Sequence, residues 1–71
     1  MRLSQILNCI GRHVNMKLKD GSVIVNVRVE RIIIERRTKD GRKVEISYNN
    51  KKELISLDYI ADVVVINNVF L

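Results

Sequence analysis

Val14-Asn15-Met16-Lys17-Leu18-Lys19-Asp20-Gly21-Ser22-Val23-Ile24-Val25-Asn26-Val27-Arg28-Val29 is the stretch that decides the fold. Val14, Met16 and Leu18 alternate with Asn15, Lys17 and Lys19, the two-residue period of a strand with one buried face. Asp20-Gly21 interrupts that period with two residues that tolerate positive φ, so a tight hairpin is expected there. Beyond it, Val23, Val25, Val27 and Val29 are expected to face a core, with Asn26, Arg28 and Glu30 on the opposite side.

Further along, the alternation becomes ambiguous at Glu30-Arg31, because Ile32, Ile33 and Ile34 run together. Residues 22–37 read either as one long strand with a bend or bulge, or as two strands split by a turn. Asp40-Gly41 is a second hairpin signal, leading into Lys43–Tyr48, where Val44, Ile46 and Tyr48 share a face. Asn49-Asn50-Lys51-Lys52 reads as a polar turn, since asparagine tolerates the left-handed region. Glu53–Leu57 reads as a fourth strand, with Ile55 and Leu57 on one side. Asp58–Ala61 is a short connector of one tight helical turn, and Asp62–Ile66 is a fifth strand. No proline interrupts any of these ladders.

Upstream, Leu3, Ile6, Leu7 and Ile10 fall at i, i+3, i+4 and i+7, the apolar stripe of a helix over residues 2–10. Gly11 follows the last of them and can take the left-handed conformation that ends a helix. So short a helix must dock on the strands to be stable.

The chain has 71 residues, enough for one domain, 1–71, and too few for a deep substrate pocket with a supporting shell. Apolar residues are 46% and charged residues 30% of it, a composition that folds. No apolar run approaches the ~20 residues of a membrane span, and no signal peptide follows Met1, so no membrane partner is expected. Cys9 is the only cysteine, which excludes an internal disulfide and points to a reducing cytoplasm.

The net charge of +5 is carried by residues 28–52. That segment holds Arg28, Arg31, Arg36, Arg37, Lys39, Arg42, Lys43, Lys51 and Lys52 against Glu30, Glu35, Asp40 and Glu45; elsewhere the charges balance. Two readings fit: an anionic partner, nucleic acid first, or lysine-guarded sheet edges. Arg36, Arg37, Lys39, Arg42 and Lys43 flank one hairpin tip and would converge on a phosphate backbone. Of the two tyrosines, Tyr48 is expected in the core, while Tyr59, in a connector, either stacks on a base or packs on the helix.

Little in the chain points to catalysis. His13 is the only histidine and reads as an exposed neighbour of Arg12, since it lacks the partners of a triad or a metal site. Cys9, just off the helical stripe, reads as a small, partly buried hydrophobe. The acids are dispersed, and there is no glycine-rich phosphate loop. The expectation is a protein that is no enzyme, with no metal, no cofactor and no small-molecule substrate.

The last strand is apolar on both faces at Val63-Val64-Val65-Ile66, and Val69-Phe70-Leu71 continues the trend. A strand of that kind wants a second cover, from the helix or from a neighbouring subunit.

Gly11-Arg12-His13-Val14-Asn15-Met16-Lys17-Leu18-Lys19-Asp20-Gly21 resembles the helix end, first strand and first hairpin of the Sm-like superfamily, the Sm, LSm and Hfq proteins. Ile55-Ser56-Leu57-Asp58-Tyr59-Ile60, with Ala61–Ile66 after it, resembles that family's last two strands and the loop between them. The chain departs from the family at several points. Val25-Asn26-Val27-Arg28 has no mid-strand glycine. Thr38–Arg42 has an Asp but no matching Asn for the uridine pocket. Leu57-Asp58-Tyr59 stands in place of Arg-Gly, and the Tyr-Lys-His triplet of Hfq is absent. The resemblance implies a mostly β fold: a short N-terminal helix, then a five-stranded antiparallel, strongly bent SH3-like barrel over residues 12–67.

It also implies head-to-tail pairing of the fourth strand with the fifth strand of the next copy. Ile55, Leu57, Val63, Val64, Val65 and Ile66 would form that interface of a homo-oligomeric ring, six or seven subunits in the family. RNA would be the partner, held by Arg36, Arg37, Lys39, Arg42 and Lys43, with Tyr59 stacking. A protein-interaction module using its open edge and apolar end, with no nucleic-acid role, is the competing expectation, and DNA binding a third.

Overall fold

The computed structural model describes residues 1–37 and 41–66. A short helix, α1 (Leu3–Leu7), precedes five strands: β1 (His13–Leu18), β2 (Val23–Ile34), β3 (Arg42–Tyr48), β4 (Lys51–Ser56) and β5 (Ile60–Val65). A 3₁₀ turn, Leu57–Tyr59, links the last two. All strand pairs are antiparallel, in the order β4-β3-β2-β1-β5. The fold is therefore mostly β, a bent five-stranded sheet that does not close on itself. β4 and β5 are its two edges.

Bends come from β-bulges, which insert one extra residue and turn the strand. Val14 pairs with Val27 but Met16 pairs with Ile24, so one residue of β1 faces two of β2. Asn26 takes φ +54° there. This overturns the simple alternation expected for β2. Val27 and Val29 are buried, but Val23 and Val25 are 56% and 66% exposed, and Ile24 turns to the core instead. A second bulge falls where the alternation became ambiguous: Val29 pairs with Ile46 and Arg31 with Glu45. Residues 23–34 are thus one bent strand, not two. A third lets Ala61 bulge from β5, since Lys17 pairs with Asp62 and Leu18 with Ile60.

The core gathers Val14, Met16 and Leu18 from β1, Val44 and Ile46 from β3, and Ile60 from β5, with no buried polar side chain among the described residues. Ile6 is fully buried beneath the sheet's covering helix. Burying an isoleucine of that size contributes about 1.5–3 kcal/mol, far more than a five-residue helix gains alone.

The expected helix over 2–10 is cut short. It stops at Leu7, and Ile10 instead makes a parallel bridge to Val29. Leu7, the last helical residue, and Ile10 beyond it are half exposed, and Cys9, expected to be only partly buried, enters the core. Gly11 takes φ +81° and donates its N–H to the Val29 carbonyl at 2.7 Å.

The hairpins are set by turn chemistry. At Asp20-Gly21 only Gly21 takes positive φ, because the turn is a residue longer than expected: the Gly21 N–H donates to the Leu18 carbonyl. Asp20 Oδ1 accepts from the Ser22 N–H at 2.8 Å and from Ser22 Oγ at 2.6 Å. Asn49 and Asn50, both left-handed, make a two-residue turn, so Lys51 and Lys52 belong to β4 and not to the loop. The connector begins at Leu57, a residue early, which buries Leu57 and starts β5 at Ile60. Between β2 and β3 the Glu35 N–H donates to the Gly41 carbonyl at 2.5 Å. The expected Asp40-Gly41 turn and the apolar Val69–Leu71 end lie outside the described residues, the turn through Asp40.

Candidate nucleic-acid interface

Arg36 and Arg37 stand exposed in the connection between β2 and β3. Arg42, also exposed, opens β3 opposite Ile34. Lys43 follows it and pairs with Ile33 and Ser56. Val44 is buried, so strand alternation places Arg42 on the core side, beyond the core's end, and Lys43 on the outer side. The expected cluster therefore splits between a loop with one strand end and the outer face. Lys39 lies outside the described residues. Among the described residues the ion pairs are Arg28–Glu30 at 2.7 Å and Arg31–Glu45 at 3.3 Å, and neither engages the loop arginines.

Tyr59, in the 3₁₀ turn, has its ring part exposed. The Asp20 carboxylate near its hydroxyl pushes the phenol up from its ordinary value. Asp20 is held below the usual carboxylate range, first by the Ser22 hydroxyl and then by the Ser22 N–H and Tyr59. The Lys19 N–H donates to the Tyr59 carbonyl at 2.9 Å, so the 3₁₀ turn is tied to the first hairpin. Tyr59 and the half-buried Tyr48 line one groove of about 580 Å³, with Leu54, Glu53 and Asp58 among its walls and no basic residue. The Tyr48 hydroxyl donates to Glu53 Oε2 at 2.6 Å, and that bond raises the phenol. Tyr59 thus shares its groove with carboxylates, not with the loop cations.

The edge strands divide the expected interface residues. Ile55 and Leu57 are consumed by the chain's own core. Val63 and Val65 are partly buried and pack against it, and the Ile66 N–H donates to the His13 carbonyl at 2.9 Å. Val64 on β5 is 60% exposed, and Leu54 on β4, which sequence reasoning passed over, is 48% exposed. Among the described residues, Leu54, Val64 and the unpaired backbone of the edge strands β4 and β5 are what the sheet offers a neighbour.

A second basic surface was missed altogether. Register places His13, Arg28, Ser47 and Lys52 side by side across β1, β2, β3 and β4. They line a groove of about 490 Å³ together with Asn26, Tyr48, Asn49, Asn50 and Lys51, and among the described residues no carboxylate lines it. Glu30 accepts from two of the row, from Ser47 Oγ at 2.5 Å and from Arg28 Nη1 at 2.7 Å. The Ser47 hydroxyl first, then Arg28 and Lys52, hold the Glu30 carboxyl below its ordinary range. Counting outward from Asn49-Asn50 pairs Ser47 with Lys52 from sequence alone. The His13–Arg28 pairing depends on the bulge at Asn26, which alternation does not announce.

Neither a metal nor a nucleophile site emerges among the described residues. No three His, Cys, Asp or Glu side chains group to hold a metal ion. Burial pushes the Cys9 thiol up, which disfavours the reactive thiolate, and its Sγ donates to the Gln5 carbonyl at 3.4 Å. Among the described residues no helix is long and apolar enough to cross a membrane. Comparison with known proteins finds no matching family model, no matching curated protein and no matching solved structure.

Proposed function

We propose that this chain is a non-enzymatic, cytoplasmic RNA-binding protein of the Sm-like kind. It assembles head to tail into a homo-oligomeric ring and holds RNA phosphates at Arg36, Arg37, Arg42, Lys43 and Lys39. The observation that carries this reading is the pair of unpaired edges on a bent five-stranded sheet, β4 with Leu54 exposed and β5 with Val64 exposed. Edges of this kind are templates for pairing with another chain, and β4 against β5 of the next copy is a heterologous contact that closes when the rotation fits. Asn26 lends the resemblance further support. Where the family's mid-strand glycine is missing, its positive φ supplies the backbone freedom that a glycine would.

RNA affinity measured across a salt series tests the binding half. It should fall steeply as salt rises, and charge reversal at Arg36→Glu with Arg37→Glu should weaken it strongly. Flat salt dependence, or an unchanged double variant, overturns it. The groove beside β4 favours a second reading, a protein-interaction module that takes an extended peptide along that edge. In that case partner capture persists while RNA binding is absent.

A further inference from the structure

We infer that the outer-face groove lined by His13, Arg28, Ser47, Lys51 and Lys52 is a second phosphate site, separate from the β2–β3 loop, that holds the backbone of single-stranded RNA. The inference takes its ligand from the RNA-binding reading, but the site stands on its own geometry. His13, Arg28, Ser47 and Lys52 are consecutive cross-strand neighbours. Strands lie ~4.8 Å apart, so the row extends about 14 Å, room for more than one phosphate. Among the described residues no carboxylate lines the groove itself, and Glu30 bonds two of its members, Arg28 and Ser47. Glu30, two residues along β2 from Arg28, accepts from the Ser47 hydroxyl and from one Arg28 donor, which holds the guanidinium in place while leaving that group's other donors free. The amides of Asn26, Asn49 and Asn50 add neutral donors at the rim.

Edge protection is the competing explanation of such charge, and it accounts for Lys51 and Lys52, which open the edge strand β4. It does not account for Arg28 and His13, which belong to the interior strands β2 and β1. Charges carried on hydrogen-bonded strands are held by the ladder, and fixed donors suit a repeating anion.

Amide NMR spectra of the full chain, titrated separately with a short oligouridylate and with inorganic tripolyphosphate, test the site. Three proteins are compared: the wild type, the exposed-residue variant Lys51→Gln/Lys52→Gln, and the loop variant Arg36→Glu/Arg37→Glu. Arg28→Gln serves as an independent groove variant. Both probes should shift the amides of Arg28, Ser47, Lys51 and Lys52, and the loop variant should keep those shifts. The lysine variant should bind the oligonucleotide about tenfold more weakly, with a log–log salt slope shallower by about 1.4, two single-strand contacts at ~0.7 each. Arg28→Gln should weaken binding in the same direction. Groove variants that abolish RNA binding while the loop variant binds normally would support the groove and refute the loop. Tripolyphosphate shifts without any oligonucleotide binding would refute RNA as the ligand and leave a site for free polyphosphate. No shift at these amides with either probe, or unchanged affinity and slope in both groove variants, overturns the site.

Discussion

The Asn26 main-chain N–H donates to the Asn15 side-chain Oδ1 at 3.0 Å, across the bulge that bends β2. A side chain on one strand thereby satisfies the donor that the bulge takes out of the ladder. Asn26 itself bears φ +54°, a conformation that asparagine and glycine tolerate and β-branched residues resist. This pair decides which face of β2 is buried before Val27, and with it the placement of Arg28 beside His13.

Asn26→Val should therefore destabilise the fold by about 1–2 kcal/mol, while Asn26→Gly should be close to neutral. Asn15→Ala should cost about 0.5–1.5 kcal/mol by removing the acceptor. Urea unfolding of the three variants checks this; equal stability of Asn26→Val and Asn26→Gly would refute the role given to the left-handed residue.

The helix offers a test of phase. Ile6 is fully buried and Leu7 half exposed, although both sit on the stripe read from sequence. Ile6→Ala should cost about 2–5 kcal/mol, and Leu7→Ala should stay within about 0.5 kcal/mol. Thermal unfolding separates the two, and a large loss from Leu7→Ala would mean that the helix docks by its other face.

The pH dependence follows from the hydrogen-bonded carboxylates and phenols. Asp20 and Glu30 are depressed in the folded protein, so the stability they contribute is present above their ordinary values, 3.8 and 4.5, and is lost as pH falls through the folded ones. Tyr48 and Tyr59 are raised, so their contribution is complete below the ordinary 10.0 and is lost as pH rises through the folded values. Stability should decline at both extremes. Ser47→Ala should return the Glu30 titration, followed by carbon NMR of its carboxyl, toward the ordinary value, since the Ser47 hydroxyl is the main cause of the shift. A Glu30 titration unmoved by that change would contradict the assignment.

Charge placed on the edges should separate assembly from folding. Leu54→Lys and Val64→Lys alter exposed side chains, so each variant should keep the stability of the single chain. Each should abolish self-association, seen as a fall in mass during size-exclusion chromatography. Intact assembly in both would place the interface elsewhere.

Period-two alternation was a sound guide wherever a strand ran without a bulge. Val14, Met16 and Leu18, and Val44 with Ile46, are buried as the pattern requires. It failed at Val23 and Val25 because a bulge reverses the faces of all that lies beyond it, and nothing in Val-Asn-Val announces one. The ambiguity at Glu30-Arg31, before the triple isoleucine, left one bulged strand or two split strands open, and the bulge at Glu30 decides for one. Helical spacing misplaced Leu7 and Ile10 because Ile10 is held by the Val29 backbone and not by a helix. The loop arginines were legible as a charge run. The outer-face groove was not, because the His13–Arg28 and Arg28–Ser47 pairings depend on the two bulges of β2.

Assembly into a ring is the central claim, and static light scattering of the purified chain at high salt tests it most directly. High salt removes nucleic acid while leaving apolar edge contacts in place. Subunits of 8.3 kDa in a closed ring of six or seven predict a mass of roughly 50–58 kDa. A monomer or dimer under those conditions would contradict the ring and remove the main support for the Sm-like reading.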